Sequence, residues 1–214
     1  MERKVVSAIS KIYLESPRVI IREMRREDLE QMQAWRPFRD PLHRLWHIQR
    51  RTPLSRDIWF MLHNSDPTHM WFVIERRKDS RVIGALSLRE IARPVSARLG
   101  IRLGADFVDR GYGSEALYLF LPHYFHTLGF QRMLLDVAAT NKRAVHVYEK
   151  LGFRRTGQHY RNVPQEQDLS FLDEEQYRHL RIYFRRHFGR MQLLFYDMVL
   201  ERSEWEEQVS PQET

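Results

Sequence analysis

The feature that most constrains this 214-residue chain is a glycine-rich segment, VDRGYGSEAL, at residues 108–117. An apolar stretch with strand character, ARLGIRL, precedes it, and a run of helix-forming residues follows it. This order predicts a strand, a tight turn and a helix in immediate succession. Gly111 and Gly113 allow positive φ and a close approach of the backbone to a ligand. Because the first amides of a helix lack intrahelical partners and lie at the positive end of its dipole, the turn is suited to a phosphate.

The segment alone does not distinguish a phosphate-binding loop from a turn that only starts a helix. No GK[ST] sequence follows, which excludes the loop of nucleoside-triphosphate-binding proteins. A dinucleotide-binding loop would place its third small residue at Ala116, which that pattern tolerates. However, four predicted strands precede the loop, and the next strand does not end in an acid that could bind ribose. These features disfavour a dinucleotide-binding fold.

The rest of the chain predicts a mixed α+β fold. Apolar, β-branched stretches predict strands at residues 18–24, 69–76, 81–90, 97–103, 131–139, 153–160 and 191–200. Helical periodicity is found at about residues 25–35, 112–128, 141–151 and 172–188. We therefore expect an N-terminal extension at 1–17, one domain at 18–205 with a helical insertion at about 161–190, and a flexible tail at 206–214.

Composition narrows the class of protein. Hydrophobic residues make up 43% of the chain, and no window approaches 18 consecutive apolar residues, so we expect a packed core and no transmembrane helix. The chain has no cysteine, which excludes disulfides and fits a cytoplasmic location. Its net charge of +7 comes from scattered arginines rather than a basic tail. Charge therefore does not favour nucleic acid as the principal partner.

A second motif lies downstream of the loop. NKRAVHVYEKLGF, residues 141–153, has the pattern N-x-x-A-x-x-x-Y-x-K-x-G-F. Together with RGYGSEAL and the intervening strand MLLDVA, it resembles the GNAT superfamily of N-acetyltransferases, and most closely the Rim-like branch of ribosomal-protein and polyamine acetyltransferases. The resemblance covers roughly residues 18–160 and the last strand. It implies a mostly antiparallel, twisted sheet of about seven strands, with helices on both faces and a splayed parallel pair that binds acetyl-CoA.

The resemblance also assigns residues to this cosubstrate. The pantetheine arm would pair with backbone near Phe107 and Val108. Asn141 would hydrogen-bond the arm, and Ala144 of the same motif would lie against it. Val108 stands where the family usually has Arg or Gln, but backbone amides make most contacts there, so binding is expected to survive. The pyrophosphate would rest on the amides of Arg110, Gly111, Tyr112, Gly113 and Ser114.

Acetyl transfer needs a neutral amine, a polarised thioester carbonyl and a proton for the departing thiolate. Tyr148 matches the family tyrosine that acts as general acid, and a phenol with an ordinary pKa of about 10 can protonate a thiolate. We expect a backbone amide at Leu103 or Gly104 to bind the carbonyl oxygen. No metal is expected, because the histidines show no convincing ligand spacing. The base is left open among Glu23, Glu90, Asp136 and water.

The predicted function is transfer of acetyl from acetyl-CoA to a primary amine, which could be a protein N-terminus, a polyamine or a small molecule. The alternative is a catalytically silent CoA-binding or regulatory module with the same fold. The apolar stripe of the predicted 172–188 helix leaves three roles open: packing on the domain, covering the acceptor, or contacting a second copy in a homodimer.

Overall fold

Within residues 12–45 and 50–210, the part of the chain that this computed structural model describes, nine strands form one mixed sheet. The sheet order is β1-β2-β3-β4-β5-β6-β9-β7, and β8 also pairs with β9. Neighbours are antiparallel except for the parallel pair β5 and β6. The strands are β1 Tyr13–Glu15, β2 Val19–Glu23, β3 Met70–Arg76, β4 Arg81–Ala92, β5 Ser96–Leu103, β6 Arg132–Ala138, β7 Arg154–Asn162, β8 Phe184–His187 and β9 Arg190–Glu201.

Six α-helices accompany the sheet in the described ranges: α1 Asp28–Gln33, α2 Pro41–Arg44, α3 Pro53–Asn64, α4 Tyr112–Pro122, α5 Lys142–Lys150 and α6 Arg202–Val209. The helix predicted at 112–128 is interrupted at Pro122, which cannot donate an intrahelical hydrogen bond, and continues as a π-helical turn at His123–Thr127. None of the helices in the described ranges is long and apolar enough to cross a membrane.

Helices cover both faces of the sheet, as predicted. Phe120 of α4 packs on Phe72 of β3, with ring centroids 5.3 Å apart and both side chains buried. On the opposite face, the indole of Trp35, just after α1, donates to the carbonyl of Val82 at 2.9 Å. We call these the α4 face and the α1 face. Because successive strand residues alternate between faces, each position on β4 and β5 can be assigned to one of them.

The sheet has two strands that the sequence pattern did not predict. β1 has only three residues, too few to show alternation, and it pairs with β2. The prediction of a helix at 172–188 is wrong for residues 184–187, which form β8. The segment forms 3-10 turns at Ser170–Asp173 and Glu175–Tyr183, followed by β8.

A tight hairpin explains why the predicted helix does not continue past Tyr183. His187 pairs with Arg190, so the β8–β9 loop has two residues, Phe188 and Gly189, with φ of +44° and +73°. Positive φ at both loop positions matches the twist of antiparallel strands. Pairing with the long strand β9 therefore outweighs the helical periodicity of the preceding residues.

The C-terminal end is more structured than a plain tail. α6 takes up residues that the sequence pattern assigned in part to the flexible segment 206–214. Its Trp205 is buried and stacks on Phe125, with ring centroids 5.1 Å apart. This apolar contact fixes α6 on the domain.

Candidate active site

The parallel strands β5 and β6 pair over only three positions. Ser96 lies opposite Arg132, Ala97 opposite Met133, and Arg98 opposite Leu134. Beyond Arg98, β5 stays on β4 as far as Leu103, while β6 stays on β9 as far as Ala138. The two strands therefore separate, and the sheet opens into a wedge-shaped gap.

Backbone alternation decides which groups of β5 face this gap. The amide of Gly104 donates to the carbonyl of Ile83 at 2.9 Å, so this position bonds toward β4. Antiparallel strands alternate these directions residue by residue. The backbone groups of Leu99, Ile101 and Leu103 therefore point into the gap. The prediction of a carbonyl-binding amide is wrong for Gly104, whose amide is bonded to β4, and it stays a prediction for Leu103, whose backbone faces the gap.

The glycine loop ends at the mouth of the gap. Gly111 is the N-cap of α4 and has φ +78°, a conformation that favours glycine. The first α-helical bond runs from the amide of Glu115 to the carbonyl of Gly111, at 3.0 Å. The amides of Tyr112, Gly113 and Ser114 precede this bond, and no side chain in the described part of the chain caps them. They form an open anion site at the positive end of the helix.

A distant arginine braces the loop. Arg18 donates through Nε to Glu115 at 2.6 Å and through Nη1 to the carbonyl of Arg110 at 3.0 Å, and its guanidinium lies 4.9 Å from the Tyr112 ring centroid. Asp109, with φ +59°, accepts from Arg143 of α5 at 2.7 Å. Neither contact has a signal in the sequence, because each joins segments that lie far apart in the chain.

Helix α5 places the other predicted motif beside the gap. Asn141 is its N-cap and accepts through Oδ1 from the amide of Ala144 at 3.2 Å. Tyr148, two turns later, is buried and packs edge-to-face on Phe153, with ring centroids 5.7 Å apart. Burial, and to a lesser extent the charge of Asp136, raise the pKa of the Tyr148 hydroxyl well above its usual value. The phenol therefore keeps its proton throughout the neutral range.

One cavity of about 620 Å³ joins the gap, the loop and α5. Most of the predicted site residues line it: Val108, Gly111, Gly113, Ser114, Asn141, Ala144 and Tyr148. Three predicted residues lie beside it instead. Phe107 is buried, and the guanidinium groups of Arg76 and Arg81 lie 5.2 and 5.5 Å from its ring centroid. Tyr112 packs against Arg18, and Arg110 is exposed.

The three candidate bases have different surroundings. Asp136 lines the cavity, but it is ion-paired with Arg98 at 3.4 Å and with Arg161 at 2.7 Å. Glu90 is 61% exposed and pairs with Arg98 at 2.8 Å, and Glu23 is not among the lining residues. Among the residues that the structure describes, no group of three or more side chains could hold a metal ion. The cavity thus combines an open anion site with a protonated phenol and no free carboxylate.

Residues 18–154, more than half of the chain, match the family model for the acetyltransferase (GNAT) domain. This chain belongs to the GNAT family. The matched residues include both the glycine loop and the motif that carries Tyr148. The GNAT resemblance read from the sequence is therefore confirmed, as is the splayed parallel pair.

Two relatives of this GNAT chain are only partly matched. It is 25% identical over 164 residues to the uncharacterized protein MJ1062 of Methanocaldococcus jannaschii, covering 72% of this chain and 32% of the relative. It is 33% identical over 94 residues to the probable N-acetyltransferase YjcK of Bacillus subtilis, covering 43% of this chain and 52% of the relative. The matched part of this chain thus spans about a third of the length of MJ1062 and about half of the length of YjcK.

Solved structures share the GNAT architecture. The spermidine N-acetyltransferase of Vibrio cholerae in complex with CoA and spermine superimposes with a TM-score of 0.64 and 21% identity, over 89% of this chain and 99% of that one. At this identity the likeness concerns the fold.

Proposed function

We propose that the chain is an acetyl-CoA-dependent N-acetyltransferase that acetylates a primary amine by direct attack in a ternary complex. The observation that carries the proposal is the single cavity, which connects an open helix N-terminus, a backbone-lined gap and a buried phenol. Membership of the GNAT family supports it. Each of the three parts suits a different portion of acetyl-CoA: the pyrophosphate, the pantetheine arm and the thioester sulfur.

The pyrophosphate would rest on the amides of residues 110–114, where the dipole of α4 favours negative charge. The pantetheine arm would run along the gap-facing backbone of β5, past Phe107 and Val108. Asn141 caps α5 through Oδ1, which leaves its amide nitrogen for the arm. Ala144 presents only a methyl group, so the arm can pass close to α5.

The amine nitrogen would attack the thioester carbonyl carbon, forming a C–N bond while the carbonyl oxygen takes up charge near the Leu103 amide. The C–S bond then breaks, and the departing thiolate takes the proton of Tyr148, which is later replaced from water. The proton lost by the amine would pass to water, because two arginines already occupy Asp136. The products are an N-acetylated amine and free CoA.

We test the proposal by titrating the full chain with acetyl-CoA in a calorimeter and by measuring thiol release over a panel of primary amines. One acetyl-CoA is expected to bind per active site, and thiol release is expected to depend on the amine. Binding without amine-dependent release would instead identify a silent CoA-binding module. Absence of binding would contradict both functions.

The insertion is proposed to shape the acceptor end of the cavity. Phe171, Leu172 and Leu180 pack on Leu42 of α2 in a small buried cluster. Residues on either side of α2, Phe38 and Leu45, line the cavity. The Tyr177 hydroxyl also contacts Asp40, the N-cap of α2, at 3.2 Å. The insertion would thus hold α2, and with it this end of the cavity, in place.

Self-association through α3 is proposed as well. Leu54, Ile58, Met61 and Leu62 form an exposed apolar stripe on this helix, which has no buried residue. A spermidine N-acetyltransferase of Vibrio cholerae has a dodecameric structure. The stripe therefore suits contact with a second copy.

The double variant Leu54→Glu/Met61→Glu is expected to weaken self-association at least about tenfold, because it buries carboxylates in an apolar contact. Light scattering measures the mass against the 26.0 kDa of one chain. Ile182→Glu, at another exposed apolar position (74%), is the control. A wild-type protein that stays monomeric at every concentration tested would contradict the proposal.

A further inference from the structure

Two arginines on adjacent strands line the cavity on the α1 face of the sheet, opposite the face covered by α4, whose N-terminus would hold the pyrophosphate. Phe72 on the α4 face lies opposite Leu86 in the sheet, so Ser87 and Arg89 of β4 alternate onto the α1 face. Ser87 lies opposite Gly100 of β5, which places Gly100 and Arg102 on the α1 face too. All four of these residues line the cavity.

The two arginine side chains approach each other across Gly100. Arg89 Nε and Nη2 lie only 4.0 Å from the position that a Cβ of residue 100 would take, so the guanidinium extends along the sheet over this glycine. Arg102 is the next residue of β5 on the same face. Arg102 remains partly exposed to solvent, and partial burial of its guanidinium, followed by the nearby charge of Arg89, lowers its pKa from the ordinary value. The two positive charges therefore face the same small volume.

The other charges of the cavity are already paired. Its charged lining comprises four arginines and two aspartates: Arg89, Arg102, Arg143, Arg161, Asp109 and Asp136. Asp109 pairs with Arg143, and Asp136 with Arg161. Across residues 12–45 and 50–210, no carboxylate forms an ion pair with Arg89 or Arg102. Among the described residues that line the cavity, only Arg89 and Arg102 thus carry a charge without a counter-charge, and both lie beside the gap between β5 and β6.

We propose that Arg89 and Arg102 bind an anionic group, a carboxylate or a phosphonate-like group, on the amine that accepts the acetyl group. This rests on the proposed function and names its substrate class: a primary amine that carries a negative charge a few bonds from its nitrogen. Guanidinium groups suit such oxyanions because they donate parallel hydrogen bonds. Two unneutralised cations repel a polyamine, whose ammonium groups would need carboxylates here.

The substrate class is tested with amines of similar chain length and different charge: γ-aminobutyrate, aminopropylphosphonate, butylamine and putrescine. The wild-type protein is expected to acetylate the two anionic amines with kcat/KM at least about 30-fold above butylamine, and putrescine least. A comparison of kcat/KM for γ-aminobutyrate and aminopropylphosphonate then shows whether the two arginines prefer a carboxylate or a phosphonate-like group.

Arg89→Gln and Arg102→Gln are each expected to lower kcat/KM for the preferred anionic amine about 30- to 100-fold, with butylamine changed less than threefold. Arg102→Lys should recover part of the loss, and Arg102→Glu should shift the preference toward putrescine. Arg186→Gln, at an exposed position of β8 outside the cavity, is the matched control.

Three results separate failure of this inference from failure of the proposed function. If butylamine or putrescine reacts as well as the anionic amines, the inference is wrong and the acetyltransferase function stands. If the arginine variants weaken acetyl-CoA binding tenfold without changing amine selectivity, the arginines serve the cosubstrate and the inference is also wrong. If no amine reacts, the proposed function fails, and calorimetric titration of the CoA-bound protein with γ-aminobutyrate and butylamine decides whether the arginines select an anion.

Discussion

Tyr148→Phe is expected to lower kcat by about two to three orders of magnitude, because the departing thiolate loses its proton donor. The acetyl-CoA Kd should change less than twofold, since the phenyl ring still fills the same buried space against Phe153. Steady-state kinetics and calorimetry measure the two quantities separately. Retention of turnover would show that the thiolate is protonated from elsewhere, and the general-acid assignment would be wrong.

The free energy of unfolding of the same variant should differ from that of the wild-type protein in a pH-dependent way that tests whether the Tyr148 hydroxyl is buried. The folded protein holds the pKa of Tyr148 above its ordinary value of about 10, so only the unfolded chain ionises this group at that pH. The unfolding free energies of the two proteins should therefore keep a constant difference below about pH 10. Above it, the wild-type protein should lose stability relative to Tyr148→Phe. A difference that stays constant as pH rises further would mean that the phenol is solvated.

Ser114→Glu is expected to raise the acetyl-CoA Kd about 100-fold. Ser114 lines the cavity in the first turn of α4, so the new carboxylate would occupy the site of the pyrophosphate and repel it. The fold should not suffer, because acidic residues are favourable at a helix N-terminus. Calorimetry measures the Kd, and thermal denaturation measures stability.

Ser114→Gln has nearly the same size without the charge and serves as the matched control. It should raise the Kd only a few-fold, and added salt should narrow the gap between the two variants because it screens the repulsion. Equal losses in both variants would show that the ligand does not feel the added charge, and the assignment of the pyrophosphate to this helix N-terminus would be wrong.

Much of the site could be predicted because its elements depend on local chemistry. Gly111 adopts the positive φ expected of a glycine before a helix, and Asn141 caps α5 as its residue type predicts. The hairpin of β3 and β4 follows from two β-branched runs around a polar turn. In each case the residues that decide the structure lie within a few positions of each other.

The remainder depends on contacts between distant segments. Arg18 and Glu115 are 97 positions apart, and neither belongs to a motif that would pair them. The register of β4 and β5 pairs Arg89 with Arg98 and lets its guanidinium reach over Gly100 toward Arg102, and it is likewise decided by the assembled sheet. Residues 184–187 carry a helical pattern, yet pairing with β9 makes them a strand. Periodicity within one segment contains no information on these partners.

The gap between β5 and β6 has a further consequence for how the protein avoids aggregation. A strand with unpaired backbone groups usually lies at the edge of a sheet, where a strand of another chain can add to it. Here the unpaired groups of β5 lie in the interior of the sheet, between β4 and β6, which continues to β9. A folded neighbour cannot reach them, whereas a slender, extended molecule can. The unpaired backbone groups of β5 can therefore bind an extended ligand but cannot pair with a strand of another protein.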